Sequence, residues 1–270
     1  MKLGISTYAF AWSIGVPGYS SPAVLDAVRF VRRAAELGVH VVQIADNLPL
    51  DRLSVEKRAE LRRVSSDLGI EVEVGTRGLH EENLITYLGI AHEMGSPILR
   101  VVPDLGAFRP GPEEMTTILR RMVPLLDESG VVLAVENHDR LSSSTLASVI
   151  RAIASPRVGI CLDTVNSFGA LDGPAIVVET LGPLAVNLHL KDFTVERAAH
   201  KMGFIVEGAP AGEGRLDVPW LLARLRSMGR EMNAILEVWV PPEASIEATI
   251  GKERAWAERS VRYLRTLIVQ

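Results

Sequence analysis

Four residues with cation-binding side chains recur near the ends of short apolar runs: Glu136 in AVENH, Asp163 in CLDT, His189 in NLHLK and Glu237 in ILEVW. Three carboxylates brought together inside a protein repel one another and lose their hydration, so a shared cation is the simplest compensation. The competing account pairs each with an arginine or protonates it; it serves any one of the four better than it serves the set. An oxygen-rich site with one imidazole suits Mn²⁺, Mg²⁺ or Co²⁺, with Zn²⁺ also accepted by such ligands. The expectation is one divalent metal ion, manganese first.

The elements that must hold these residues are legible as eight apolar runs: LGIST, VHVVQIA from Val39, EVEVGT from Glu71, ILRVV from Ile98, VLAVEN from Val132, VGICLD from Val158, AVNLHLK from Ala185 and AILEV from Ala234. Each precedes a stretch of helical periodicity, the alternation that marks parallel strands joined by crossover helices. Eight such units in 270 residues predict an α/β fold, a parallel eight-stranded (β/α)₈ TIM barrel forming a single domain over residues 1–270. The four candidate ligands then end strands five to eight, at the face where barrels carry their active sites.

Pro22 is expected to open a long helix whose face carries Ala27, Val31, Ala34 and Ala35 and which Gly38 stops. Gly69, Gly95, Gly130, Gly182 and Gly229 are expected to stop later helices, because glycine tolerates the left-handed conformation. Two connections exceed a minimal one, residues 9–21 after the first strand and 193–217 after the seventh. Both are candidate lids, against the plainer reading of surface insertions.

A formal net charge of −4 supplies no field for a nucleic acid or an anionic membrane, so neither is an expected partner. The single cysteine, Cys161, excludes an intramolecular disulfide and a cysteine-rich zinc site. A reducing cytoplasm fits this usage, and neither a signal peptide nor a membrane span is read in the sequence. Oligomeric state is left open, a homo-oligomer included.

Counting by two along the strands finds the other side chains of the same face. Lys191 follows His189 and Asn187 precedes it; His138 follows Glu136, Trp239 follows Glu237 and Cys161 precedes Asp163. Lys191 can hold a substrate carboxylate or phosphate or act as an acid, unless it pairs with Asp192 or a ligand carboxylate. Arg100 is expected to partner a buried carboxylate, Glu136 or Glu71, while Arg77 in GTRG is a candidate substrate clamp. Gln43, Asp46 and Asn47 are placed to bind hydroxyls, Cys161 reads as core, and His80 and His92 read as solvated helix residues. Trp12, Tyr19 and Phe108 are candidates to cover the apolar face of a sugar.

The order Glu, Asp, His, Glu on strands five to eight, with AVENH, CLDTVN, HLKD, GEGRLD and ILEVW, resembles the xylose isomerase-like barrel family across nearly the whole chain. This resemblance implies a metal that binds two oxygens of a polyol or keto sugar, with Glu136 and Glu237 as ligands that also exchange a proton beside the carbonyl. Asp163 and His189 would be ligands only. The cation would stabilise an enediolate as a Lewis acid. The 3-epimerases of the family carry a substrate-binding histidine where this chain has Asn166 and an arginine where it has Val195, which argues against a free ketohexose. The histidine-rich three-metal set of the endonuclease branch is not supplied by the six histidines here.

Three functions follow. The leading expectation is a metal-dependent isomerase or epimerase of a small keto sugar. The second is a lyase on a sugar acid, since IGVPGY and QIADNLPL resemble the 3-oxo-isoapionate decarboxylases and three cations near one metal suit an anionic substrate; dehydration of an inosose-like ring is a further lyase option. The third is a non-catalytic sugar-binding barrel. The expected substrate contacts are Lys191, Arg77, His138, Asn166, Gln43, Trp239 and Trp12.

Overall fold

The computed structural model describes residues 1–19 and 24–268, and each of the eight apolar runs contains a parallel strand. These are β1 (Leu3–Ser6), β2 (Val41–Ile44), β3 (Glu71–Arg77), β4 (Ile98–Val102), β5 (Val132–Glu136), β6 (Val158–Asp163), β7 (Ala185–Leu190) and, after a hairpin of β8 (Asp192–Arg197) and β9 (Phe204–Ala209), β10 (Ala234–Leu236). β1 pairs with both β2 and β10, which closes the ring. The chain is an eight-stranded parallel TIM barrel.

The helices of the outer ring are α2 (Ala27–Glu36), α3 (Val55–Asp67), α4 (Glu81–Met94), α5 (Pro112–Ser129), α6 (Ser143–Ile153), α7 (Pro174–Leu181), α8 (Val218–Ser227) and α9 (Ile246–Leu264), and a single turn, α1 (Ala11–Ile14), lies in the loop after β1. α2 begins later than Pro22 suggests: Asp26 caps it by accepting from Arg29 N at 2.9 Å, and Pro22 lies outside the described residues. Its buried face is Ala27, Phe30, Val31 and Ala34, with Ala35 only partly covered. Gly38, Gly69, Gly95, Gly130 and Gly229 end their helices with φ between 65° and 71°, as expected. Gly182 does not. Its φ is −49° and the chain runs on into a 3₁₀ turn, Gly182–Leu184. Space explains the glycine there, because a Cβ would stand 2.7 Å from Met228 Sδ. His80 also departs from expectation, standing before α4 and stacking on Phe108 with ring centroids 3.6 Å apart. No described helix is long and apolar enough to cross a membrane.

Alternation along the strands divides the barrel into two environments. The outward faces and the helices form the large apolar core, including Leu3, Ile5, Ile44, Leu99, Val135 and Leu162. Inside the barrel Ile98, Ala134 and Cys161 make a small separate apolar cluster, Val41 and Ile235 flank Gly4, and much of the remaining interior is polar, with Gln43, Glu73, Arg100, Asn187 and His189 nearly or wholly inaccessible to solvent. A bulge interrupts the β6–β7 register, so Ile160 faces Ala185 while Cys161 faces Asn187.

The long connection after β7 is partly regular. Its first half is the β8–β9 hairpin, whose alternation is masked in the sequence by the charges of DFTVER. The second half is held by Asp192, which is 1% exposed and accepts hydrogen bonds from the backbone N–H groups of Phe193 (2.8 Å), Gly212, Gly214 and Leu216 (2.9 Å each). A Cβ on Gly214 would sit 2.2 Å from Asp192 Oδ1, so HLKD and GEGRLD are one structural unit. Asp192→Ala is expected to lower stability by about 3 kcal/mol in urea unfolding, since it strands several buried amides. A loss below about 1 kcal/mol would show that the loop is held elsewhere.

Candidate metal centre and active site

The C-terminal ends of four adjacent barrel strands place Glu136 (β5), Asp163 (β6), His189 (β7) and Glu237 (just past β10) at exposures of 0–1%. His189 Nδ1 lies 3.4 Å from Glu136 Oε2, 3.4 Å from Glu237 Oε1 and 3.8 Å from Asp163 Oδ2. Donor atoms bound about 2.1 Å from one cation stand roughly 3 Å from each other, so a modest contraction closes this set on an ion. His189 Nδ1 and Glu237 Oε1 are buried and, among the described residues, make no hydrogen bond. Buried atoms left in this way fit a cation's ligands.

Local structure fixes each member. Val165 N and Asn166 N donate to Asp163 Oδ1 at 2.8 Å each, leaving Oδ2 turned toward His189. Asn137 ties strand ends together, with its Oδ1 accepting from Asp163 N at 2.8 Å and its Nδ2 donating to Asp163 O at 2.9 Å. Both oxygens of Glu136 are engaged: Arg100 Nε donates to Oε2, and Asn166 Nδ2 donates to Oε1 at 2.7 Å. Burial raises the Glu136 pKa, but Arg100, His189 and Lys191 outweigh it and hold the carboxyl below its ordinary value. At Glu237 burial is likewise overcome by His189, Lys191 and Arg100, which bring it down to about 2.

Lys191 Nζ stands 2.8 Å from both Asp163 Oδ2 and Glu237 Oε2 and 3.1 Å from Asn166 Oδ1. Both carboxylate contacts are buried ion pairs. Lys191 therefore pairs with ligand carboxylates and not with its neighbour Asp192. Burial opposes its charge, and Asp163, Glu237 and Glu136 more than restore it, so the ammonium is held above its ordinary pKa. Arg100, 2% exposed, also donates to Asp46 Oδ1 at 2.7 Å, and Arg77 Nε reaches Asp46 Oδ2 at 3.0 Å. Glu71 is not an Arg100 partner; it accepts from Lys2 at 2.6 Å and Asn233 at 2.9 Å.

Other expected contacts fall in different places. Gln43 lies beneath His189, with Oε1 2.6 Å from Nε2, and both ends of its amide are occupied. His138 Nδ1 sits 3.0 Å from the Asp139 carboxylate. Arg77 opens with Tyr8, Asp46 and Asn47 onto a cleft of about 590 Å³. Trp12 and Trp239 border a second cleft of about 420 Å³ with Tyr8 and Val16; Trp12 Nε1 donates to Val240 O at 2.9 Å and Trp239 Nε1 to Asp192 O at 3.3 Å. A groove of about 500 Å³ among Arg29, Arg33, Glu36 and Glu258 is lined by none of the candidate ligands. Tyr8, whose hydroxyl donates to Asp46 Oδ2 at 3.0 Å, was not anticipated from sequence, nor was Glu73; TYAF directly after β1 and the EVEV alternation are the signals that locate them.

The loop bearing Trp12 is fastened by Glu253 of α9, 1% exposed, which accepts from Trp12 N (2.7 Å), Ser13 N (3.1 Å) and Ser13 Oγ (2.6 Å). Burial raises this carboxyl to about 7, against the lowering effect of those donors. A folded pKa above the unfolded one gives stability that is complete below about pH 4 and is lost as pH rises through about 7. Relative to Glu253→Gln, the wild type should therefore lose about 3 kcal/mol between pH 4 and 8 in urea unfolding. Parallel pH profiles for the two proteins would place the Glu253 pKa near its ordinary value.

The profile of the xylose isomerase-like TIM barrel family matches residues 31–267. The chain is 35% identical over 266 residues to a 3-oxo-isoapionate decarboxylase of Pectobacterium atrosepticum, covering 98% of this chain and 96% of that protein. Among solved structures it superposes on a D-psicose 3-epimerase of Clostridium cellulolyticum with D-tagatose (TM-score 0.74, 16% identity, 98% and 99% of the two chains). It also superposes on a xylose isomerase-like barrel protein of Mycobacterium smegmatis in complex with magnesium (TM-score 0.68, 14% identity, 97% of each chain). With its closed barrel and a family profile spanning most of its length, the chain belongs to the xylose isomerase-like TIM barrel family.

Proposed function

We propose that this protein is a divalent-metal-dependent lyase that decarboxylates a small 3-oxo sugar acid. The observation that carries this reading is the engagement of both Glu136 oxygens by Arg100 and Asn166, with Lys191 set between Asp163 and Glu237. An epimerase needs a basic carboxylate on each side of the reacting carbon, and a carboxylate clamped and held acidic is a poor base. This reverses the order of the two leading functions. Decarboxylation instead asks for a cation facing the reacting carbons and one proton source.

Charge supports the same reading. Among the described residues the lysines and arginines paired with the carboxylates of Glu136, Asp163, Glu237 and Asp46 are Arg100, Lys191 and Arg77. Among these charged groups a divalent ion, held by His189 through the Nδ1 lone pair, would turn the one surplus negative charge into one surplus positive charge, which complements a monocarboxylate. The decarboxylase relative adds a precedent at 35% identity, and the magnesium-bound barrel is a relative in fold alone.

Glu136, Asp163, His189 and Glu237 would hold the ion, which supplies Lewis-acid polarisation of a substrate carbonyl oxygen. Lys191 pairs with the substrate carboxylate and positions it for departure. The bond between the carboxyl carbon and C2 breaks, its electron pair passes toward the 3-oxo group, and CO₂ leaves. C2 then takes one proton delivered from solvent, so one proton is consumed per CO₂ released, while Lys191, held charged by Asp163 and Glu237, keeps its role as the carboxylate's partner. Tyr8, Asn47 and Arg77, on the cleft of about 590 Å³, are placed to take the hydroxylated end of the substrate.

Incubation of the Mn²⁺-loaded protein with 3-oxo sugar acids in D₂O should release CO₂ and leave one deuteron at the former C2 of the product. Lys191→Met should lower kcat about 10²–10⁴-fold. Removal of metal with a chelator should abolish turnover, restored by Mn²⁺. Exchange of an α-proton in neutral ketoses, with no CO₂ from any 3-oxo acid, would overturn the lyase reading in favour of an isomerase.

A further inference from the structure

Below the candidate ligands, the barrel interior carries a line of buried polar side chains that the proposed reaction leaves unused. Gln43, Glu73 and Asn187 are each 0% exposed. Gln43 Nε2 donates to Glu73 Oε2 at 3.0 Å and to Asn187 Oδ1 at 3.1 Å, and Asn187 Nδ2 donates to the same Glu73 oxygen at 2.9 Å. Asn233 Nδ2 donates to Glu73 Oε1 at 2.8 Å and to Glu71 Oε1 at 2.9 Å, and Lys2 ends the line at the surface. Glu73 thus has three amide donors and neither a lysine nor an arginine among its hydrogen-bond partners. Burying a carboxylate there is costly, and the three amides offset that cost without a cation.

Its effect on the site follows from donor and acceptor logic. Glu73 is an acceptor, so it fixes which end of the Gln43 amide points down. The Gln43 oxygen is then directed at His189 Nε2, 2.6 Å away. An acceptor in that place requires the proton on Nε2, and the lone pair of Nδ1 is left facing Glu136, Asp163 and Glu237. Direct carboxylate–histidine pairs behind metal sites do the same work without an intervening amide.

We propose that Glu73 and Gln43 are positioning residues that lock His189 in the Nε2-protonated tautomer and so present Nδ1 to a divalent cation. This rests on the metal site proposed above, and saturable Mn²⁺ binding by the wild type, followed through the EPR signal of free Mn²⁺, tests that foundation first. Its absence would defeat the metal reading. Given binding, Gln43→Met should weaken Mn²⁺ affinity about 10–100-fold. The exchange Gln43→Glu/Glu73→Gln keeps an acceptor against His189 and a donor behind it, with the Asn187 amide turning over, and should recover most of that loss; a merely structural role predicts no recovery of affinity. In the Mg²⁺-loaded wild type, ¹⁵N shifts of His189 should show a protonated Nε2, a measurement that stands even if Gln43→Met fails to fold. Unchanged Mn²⁺ affinity in folded Gln43→Met, an exchange variant that binds no better than it, or a loaded imidazole protonated at Nδ1 would overturn the proposal.

Discussion

Three carboxylates crowded around one imidazole, at the ends of strands closed off from water, are the constraint on which the rest of this structure depends. Such a cluster is intolerable in an apolar interior without opposite charge and donors. The surroundings supply both: Arg100 and Asn166 on Glu136, two backbone amides on Asp163, and Lys191 across Asp163 and Glu237. Every one of these groups also limits the chemistry open to the carboxylate it touches.

The cost of this interior is offset by the shell around it. The outward faces of the strands and the inward faces of the helices make a continuous apolar core, while inside the barrel Ile98, Ala134 and Cys161 are the members of the small apolar cluster. A polar barrel interior lowers stability and raises specificity, because each buried group has few arrangements that satisfy its neighbours. The line from Lys2 through Glu71, Asn233, Glu73 and Gln43 to His189 couples the floor of the barrel to its active face in this sense.

Loops complete the site through single buried acids. Asp192 gathers the chain that follows the hairpin, directly after Lys191, so the backbone next to the proposed carboxylate-binding lysine is held from the protein side. Glu253 does the corresponding work for the loop after β1 from the far end of the chain. The two clefts over the barrel mouth meet at Tyr8, which borders both.

The eight strands, the parallel barrel and the convergence of Glu136, Asp163, His189 and Glu237 were legible in the sequence because they depend on local periodicity and on strand order, both of which are linear. Most helix stops were legible for a similar reason, as a left-handed glycine is a local requirement; Gly182 was not, because it answers to Met228 of a different unit. What each long or amphiprotic side chain touches was decided only by the tertiary structure. Lys191 chose Asp163 and Glu237 over its sequence neighbour, Arg100 reached Glu136 and Asp46 together, and Gln43 turned under His189 instead of outward to a substrate. Those choices are set by angles around a closed ring and by competition among partners from five or six strands, and neither is written in the spacing of any one of them.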